Sequence, residues 1–169
     1  MEVLIIMVFL TQPSIGIICS SKMEVPKPLT DFAFEFGNLI GKLHFNVIYN
    51  ENNSGLIEAL KNGVKNAKGD LNSLNKDISK TKKSQFIYEN SDILCILPGS
   101  LDTLSEFIKF ININKNSNTK KTIIIVDILN YFSNLLNWLE EISLINMTES
   151  PAEMFCIARS ISDLEKFLT

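Results

Sequence analysis

Residues 91–106 read SDILCILPGSLDTLSE, and this stretch decides the fold. Ile93 to Leu97 is a short apolar run of the kind a fully buried strand needs. It runs into Pro98-Gly99 and a polar turn, and a helical pattern opens directly behind the turn. A strand that feeds a tight turn and then a helix N-terminus is how α/β proteins hold an anion. The unpaired N–H groups of the first helical turn and the helix dipole both point at the ligand. Such a site lies at the carboxyl end of a sheet strand.

Working outward, strands and helices alternate. Ile15–Cys19, Phe45–Tyr49, Ile93–Leu97 and Thr122–Val126 are apolar runs that predict core strands, and Met154–Ala158 predicts a last one. Between them, Leu29, Phe32, Ala33, Phe36, Leu39, Ile40 and Leu43 recur at helical spacing, as do Leu56, Ile57, Leu60 and Val64. Leu104, Phe107, Ile108 and Ile111 form another such stripe, and so do Phe132, Leu135, Leu136, Leu139 and Ile142. Leu164, Phe167 and Leu168 close the chain with a short helix. Alternation of this kind predicts right-handed βαβ units and a parallel sheet. The expected architecture is a single doubly wound, Rossmann-like α/β domain over residues 14–169, preceded by an apolar extension at 1–13. The stretch from Lys68 to Lys83 is rich in Lys, Asn, Asp and Ser and has no apolar strand pattern. A loop or short helix with weak order is expected there, which leaves open the loss of one edge strand.

The chain of 169 residues suits one domain, and its 46% hydrophobic content suffices for a core. A net charge of −3 provides no basic footprint for nucleic acid. The opening MEVLIIMVFL is too short to span a bilayer and carries Glu2 without a lysine or arginine, so neither a membrane span nor a targeting segment is expected. Three cysteines, Cys19, Cys95 and Cys156, show no metal-ligand spacing, and their odd number argues for a reducing, cytoplasmic setting. His44, the one histidine, falls between a helix and a strand and reads as a linker residue rather than a metal ligand. No metal or cofactor is expected.

The 98–106 segment resembles the PGGxGTxxE signature of the LOG family, which carries an older "lysine decarboxylase-like" label. Pro98, Gly99, Thr103 and Glu106 match it, Leu101 fills its variable position, and Ser100 and Asp102 stand where it has glycine. Residues 15–21, IGIICSS, resemble the family's opening strand and CGSS loop, which brings in Ser20 and Ser21. Residues 49–57, YNENNSGLI, lie in register with YGGGxxGLM; Gly55 is retained, and Asn50, Glu51 and Asn52 replace three glycines. Lys82-Lys83 falls where the family has Arg-Lys.

The resemblance implies hydrolysis of the N-glycosidic bond of a nucleoside 5′-monophosphate, giving free base and ribose 5-phosphate. It implies Glu106 as the catalytic carboxylate, Lys83 in the place of a catalytic or substrate-orienting arginine, and a phosphate- or nucleotide-binding set of Pro98, Gly99, Ser100, Leu101, Asp102, Thr103, Ser20, Ser21 and Gly55. It also implies a homodimer, and Phe34, off the apolar stripe of the first helix, suits a partner face. The alternative is a non-catalytic nucleotide-binding module of the same fold, because side chains at 100 and 102 crowd a phosphate that glycine would admit. Locally, Thr103-Leu104-Ser105-Glu106 also reads as a capping box, and Asp102 as an N-cap or turn residue. Nothing in the residues supports an amino-acid decarboxylase, since no cofactor-lysine motif is present.

Overall fold

The structure is a computed structural model and describes residues 12–50, 55–73 and 80–169. Six strands form one sheet: β1 (Ser14–Ile18), β2 (Asn46–Tyr49), β3 (Asp70–Ser73), β4 (Ile93–Ile96), β5 (Thr122–Val126) and β6 (Cys156–Ala158). Their order is β3-β2-β1-β4-β5-β6, and every neighbouring pair is parallel. The helices are α1 (Lys27–Lys42), α2 (Gly55–Asn66), α3 (Lys80–Asn90), α4 (Leu101–Asn116), α5 (Ser133–Leu144), α6 (Pro151–Met154) and α7 (Ile161–Leu168).

The strands are apolar on both sides because both sides are covered. Ile15, Ile17, Cys95 and Leu97 pack with Phe36 and Ile40 of α1, Leu60 and Val64 of α2, and Leu164 of α7. Ile18, Leu94, Ile96, Ile123 and Ile125 pack on the opposite face with Ile87 of α3, Phe107 and Phe110 of α4, and Leu136 and Leu139 of α5. Cys95 is fully buried, and burial pushes its thiol well above the usual range, so it acts as a small apolar residue. The doubly wound fold is therefore as the sequence predicts, and the four core strands are all parallel.

α1 and α2 cross in backbone contact. A Cβ at Gly37 would lie 2.2 Å from the Leu60 carbonyl oxygen, and one at Gly63 would lie 2.1 Å from that of Phe34. α1 ends through His44, which takes the left-handed conformation (φ 57°) and turns the chain so that the Phe45 N–H donates to the Ile40 carbonyl at 3.0 Å. The exposed His44 is thus the linker residue its position suggested.

Three expectations are corrected. The edge strand is present: β3, with the polar sequence DLNS, pairs with β2 from Asn46↔Asp70 to Tyr49↔Ser73. An edge strand takes its hydrogen bonds from one neighbour and needs no apolar run; of β3, Leu71 is the residue that packs on the core. Second, the helix allowed for in this stretch is longer than expected: α3 begins at Lys80, inside it, and runs to Asn90, and it gave little periodic signal because, among its described side chains, the buried ones are Ser84, Ile87 and Tyr88. Residues 74–79 lie outside those described. Third, the strand expected from Met154 is shorter. Pro151 opens the single turn α6, which runs through Met154, so β6 begins at Cys156.

Candidate functional site

The strand order reverses between β1 and β4. The chain leaves β1 for α1 on one face and leaves β4 for α4 on the other, and a crevice opens between them. Two backbone hydrogen bonds hold its floor together: Leu97 N–H to the Ile18 carbonyl at 2.8 Å, and Ser20 N–H to the Pro98 carbonyl at 3.0 Å. The loops after β1 and β4 are therefore one unit, and Ser20 and Pro98 are its joints. Ser20 is buried, and its hydroxyl accepts from the Lys22 N–H at 3.1 Å. Gly55, at the start of α2, donates its N–H to the Lys22 carbonyl at 2.9 Å. Its missing Cβ leaves room for the Met23 carbonyl, which would lie 2.5 Å from such a carbon.

The Pro98–Gly99 turn is built around Thr103. A Cβ at Gly99 would sit 2.0 Å from the Thr103 hydroxyl oxygen, so glycine is what allows the buried Thr103 to fold back onto the turn. The Tyr131 hydroxyl donates to the Gly99 carbonyl at 2.6 Å from the far side. Ser100, in extended backbone, is the N-cap of α4, and its side chain makes no capping hydrogen bond. The N–H groups of the first turn of α4 are thus not closed off by Ser100, as an anion site requires.

A cleft of about 370 Å³ lies over this turn. Ile17, Ile18, Ile57 and Ile87 supply apolar walls; Cys19 and Ser21 come from the end of β1 and Asn50 from the end of β2. Lys83 and Ser84 enter from α3, and Ser100, Asp102, Thr103, Ser105, Glu106 and Lys109 from α4. Of the residues proposed from sequence, the structure brings Glu106, Lys83, Ser21, Ser100, Asp102 and Thr103 to one cleft. Pro98, Gly99, Ser20 and Gly55 shape the loops around it, and Leu101 is exposed and outside its walls. Asn50 borders it, while residues 51–54 of the replaced glycine run lie outside those described. Sequence reading missed Cys19, Ser84, Ser105 and Lys109. Cys19 had a signal in the CGSS-like loop, and Lys109 in its i,i+3 spacing from Glu106.

The capping-box reading of Glu106 is overturned. α4 begins at Leu101, so Ser100 is the cap, Thr103 is the third helical residue, and Glu106 lies in the second turn. The same boundary places Asp102 inside the first turn, where its charge suits the helix dipole, and not at the N-cap. One Glu106 oxygen, Oε1, accepts from the Lys109 ammonium at 2.8 Å. The other, Oε2, is buried without a hydrogen-bond partner. The cleft thus carries two cations, Lys83 and Lys109, and two carboxylates, Asp102 and Glu106.

The strand order and the crevice at its reversal define a Rossmann-type α/β protein with a cleft at the switch point. A family model described as "Possible lysine decarboxylase" matches residues 48–168, most of the chain. The chain belongs to this family, the LOG family, as the PGGxGTxxE-like segment implied. No curated protein matches the sequence. Among solved structures, the molybdenum cofactor carrier protein of Chlamydomonas reinhardtii is similar at 12% identity and a TM-score of 0.69, over 93% of this chain and 96% of that one. The molybdenum cofactor binding protein of the phototrophic bacterium Rippkaea orientalis is similar at 18% identity and a TM-score of 0.68, over 94% and 96%. The structural-genomics target TM1055 is similar at 17% identity and a TM-score of 0.63, over 92% and 96%. At such identities these likenesses establish the fold. No helix among the described residues is long and apolar enough to cross a membrane.

Proposed function

We propose that the chain binds a nucleoside 5′-monophosphate in the cleft at the ends of β1 and β4 and hydrolyses its N-glycosidic bond. The observation that carries this reading is Glu106. It faces the cleft from the second turn of α4 instead of capping the helix, and one of its oxygens is buried without a partner. The reaction takes one water and one nucleotide to free base and ribose 5-phosphate. The C1′–N bond breaks with its electron pair leaving on the base, positive charge develops at C1′, and the water oxygen bonds to that carbon. A carboxylate beside C1′ stabilises the charge or accepts the proton that the water gives up, and the departing base takes up a proton. Lys109 pairs with Glu106 Oε1 at 2.8 Å and holds that carboxylate in place. The phosphate lies against the first-turn amides of α4, and Lys83 offsets part of its charge.

A second reading has an observation of its own. Two of the similar structures are molybdenum cofactor carrier or binding proteins, and in this chain Asp102 places a carboxylate beside the anion end of the cleft. In that reading the cleft holds a phosphorylated small molecule without transforming it. Incubation with AMP separates the two. Release of adenine and ribose 5-phosphate supports the hydrolase, binding seen by calorimetry without release supports the carrier, and the absence of both would exclude AMP as the ligand. A homodimer and a cytoplasmic setting belong to the same proposal; light scattering reads the former.

The same calorimetry tests Asp102. A carboxylate about 5 Å from a phosphate repels it by roughly 3 kcal/mol per unit charge at an effective dielectric near 20. Asp102 is exposed, so solvent screens much of this. Asp102→Gly is expected to tighten AMP binding by about tenfold, or ~1.4 kcal/mol. Unchanged affinity would mean that the phosphate does not lie against the first turn of α4.

A further inference from the structure

Only three buried side-chain polar atoms among the described residues lack a hydrogen-bond partner: Asn50 Oδ1, Ser91 Oγ and Glu106 Oε2. Two of the three, Asn50 Oδ1 and Glu106 Oε2, belong to walls of the same cleft. Buried polar groups are nearly always paired, so an unpaired one in a cleft marks a place for a ligand atom. Both atoms are acceptors, so the ligand must present hydrogen-bond donors. They come from different walls. Asn50 directly follows β2, whose residue Tyr49 pairs with Ile17 of β1, whereas Glu106 descends from α4 behind β4. A ligand lying across the end of β1 reaches both.

We propose that Asn50 is a specificity-determining residue. Its Oδ1 accepts a hydrogen bond from a ribose hydroxyl while Glu106 takes a second donor across the cleft, so the site selects a ribosyl ligand over its deoxy counterpart. This rests on the nucleotide reading above and adds what the site reads. In dinucleotide-binding sheets of this strand order, where the phosphate turn follows the first strand, a side-chain acceptor about 20 residues further on, at the end of the second strand, takes a ribose hydroxyl, and Asn50 stands at the end of the second strand here. There it is usually a carboxylate. Here the cleft already holds Asp102 and Glu106, and an amide oxygen accepts the same hydrogen bond without a third negative charge near a phosphate. A site built to bond a hydroxyl rejects the analogue that lacks it, because its own buried acceptor is then stranded.

The experiment is calorimetry of the full chain with AMP, 2′-deoxy-AMP and 3′-deoxy-AMP, repeated on Asn50→Leu and Asn50→Ala. Wild type should bind at least one deoxy analogue about tenfold or more weakly than AMP. Both variants should bind AMP more weakly by a similar factor and lose the discrimination, with ratios within about twofold. The thermal midpoint of the ligand-free variants should be unchanged or higher, since a stranded acceptor has been removed. Equal affinity of wild type for all three nucleotides overturns this inference and leaves the nucleotide reading standing. So does discrimination that survives in the variants, or a marked fall in their thermal midpoint, which would make Asn50 a structural residue. Failure of wild type to bind any of the three overturns both.

Discussion

Glu106→Gln should lower the rate of AMP hydrolysis by about 10²–10⁴-fold, the usual worth of a positioned acid–base group. Glutamine keeps the length and the hydrogen bonding of the side chain but cannot hold a negative charge beside C1′ or accept a proton from water. The stability cost should be small. The one interaction lost is an i,i+3 pair with Lys109, whose side chain is about half exposed, and such pairs contribute a few tenths of a kcal/mol. The buried oxygen of Glu106 has no partner to lose. Steady-state assays beside thermal melts of both proteins decide the matter. An unchanged rate would remove Glu106 from the chemistry, and an equal loss of rate and of folded protein would make it structural.

The largest expected effect on stability is at the next residue. Phe107→Ala should cost about 3–5 kcal/mol, as truncation of a buried phenylalanine commonly does. Phe107 is completely buried, and its ring meets that of Phe155 edge-on, with centroids 5.1 Å apart and planes at 70°. With Phe110 and Ile111 it ties α4 to β4 and β5, and so sets where Glu106 stands. A domain of this size has only about 5–15 kcal/mol in total, so the variant should be marginal. Urea unfolding should show the loss as a lower midpoint with an unchanged slope. A loss below about 1 kcal/mol would mean that the core collapses around the gap and that α4 is anchored elsewhere.

What could be read along the chain, and what could not, follows burial. β1, β2, β4 and β5 are covered on both faces, so each must be an uninterrupted apolar run, and such runs are visible without knowing the fold. α1 and α2 show their apolar stripes for the same reason. β3 was invisible because an edge strand owes its position to hydrogen bonds with β2, and backbone hydrogen bonds leave no mark on side-chain composition. α3 was invisible because so little of it faces the core.

The site divides in the same way. Pro98, Gly99 and Thr103 were legible as a unit because their interaction is local: a glycine that lets a threonine close on it four residues later. Glu106 was ambiguous, since T-x-x-E describes a capping box and a family signature equally well. The start of α4 at Leu101 resolved it, and that boundary was not visible in the four residues themselves. By itself the sequence determined the parallel α/β architecture and the turn that opens α4, because periodic burial and short-range packing are written in consecutive residues. Only the tertiary structure decided that Lys83, Asn50 and Lys109 share a cleft with Glu106, and that two acceptors there are left without partners. Those residues come from three separate elements, and they meet because the strand order reverses beside β1.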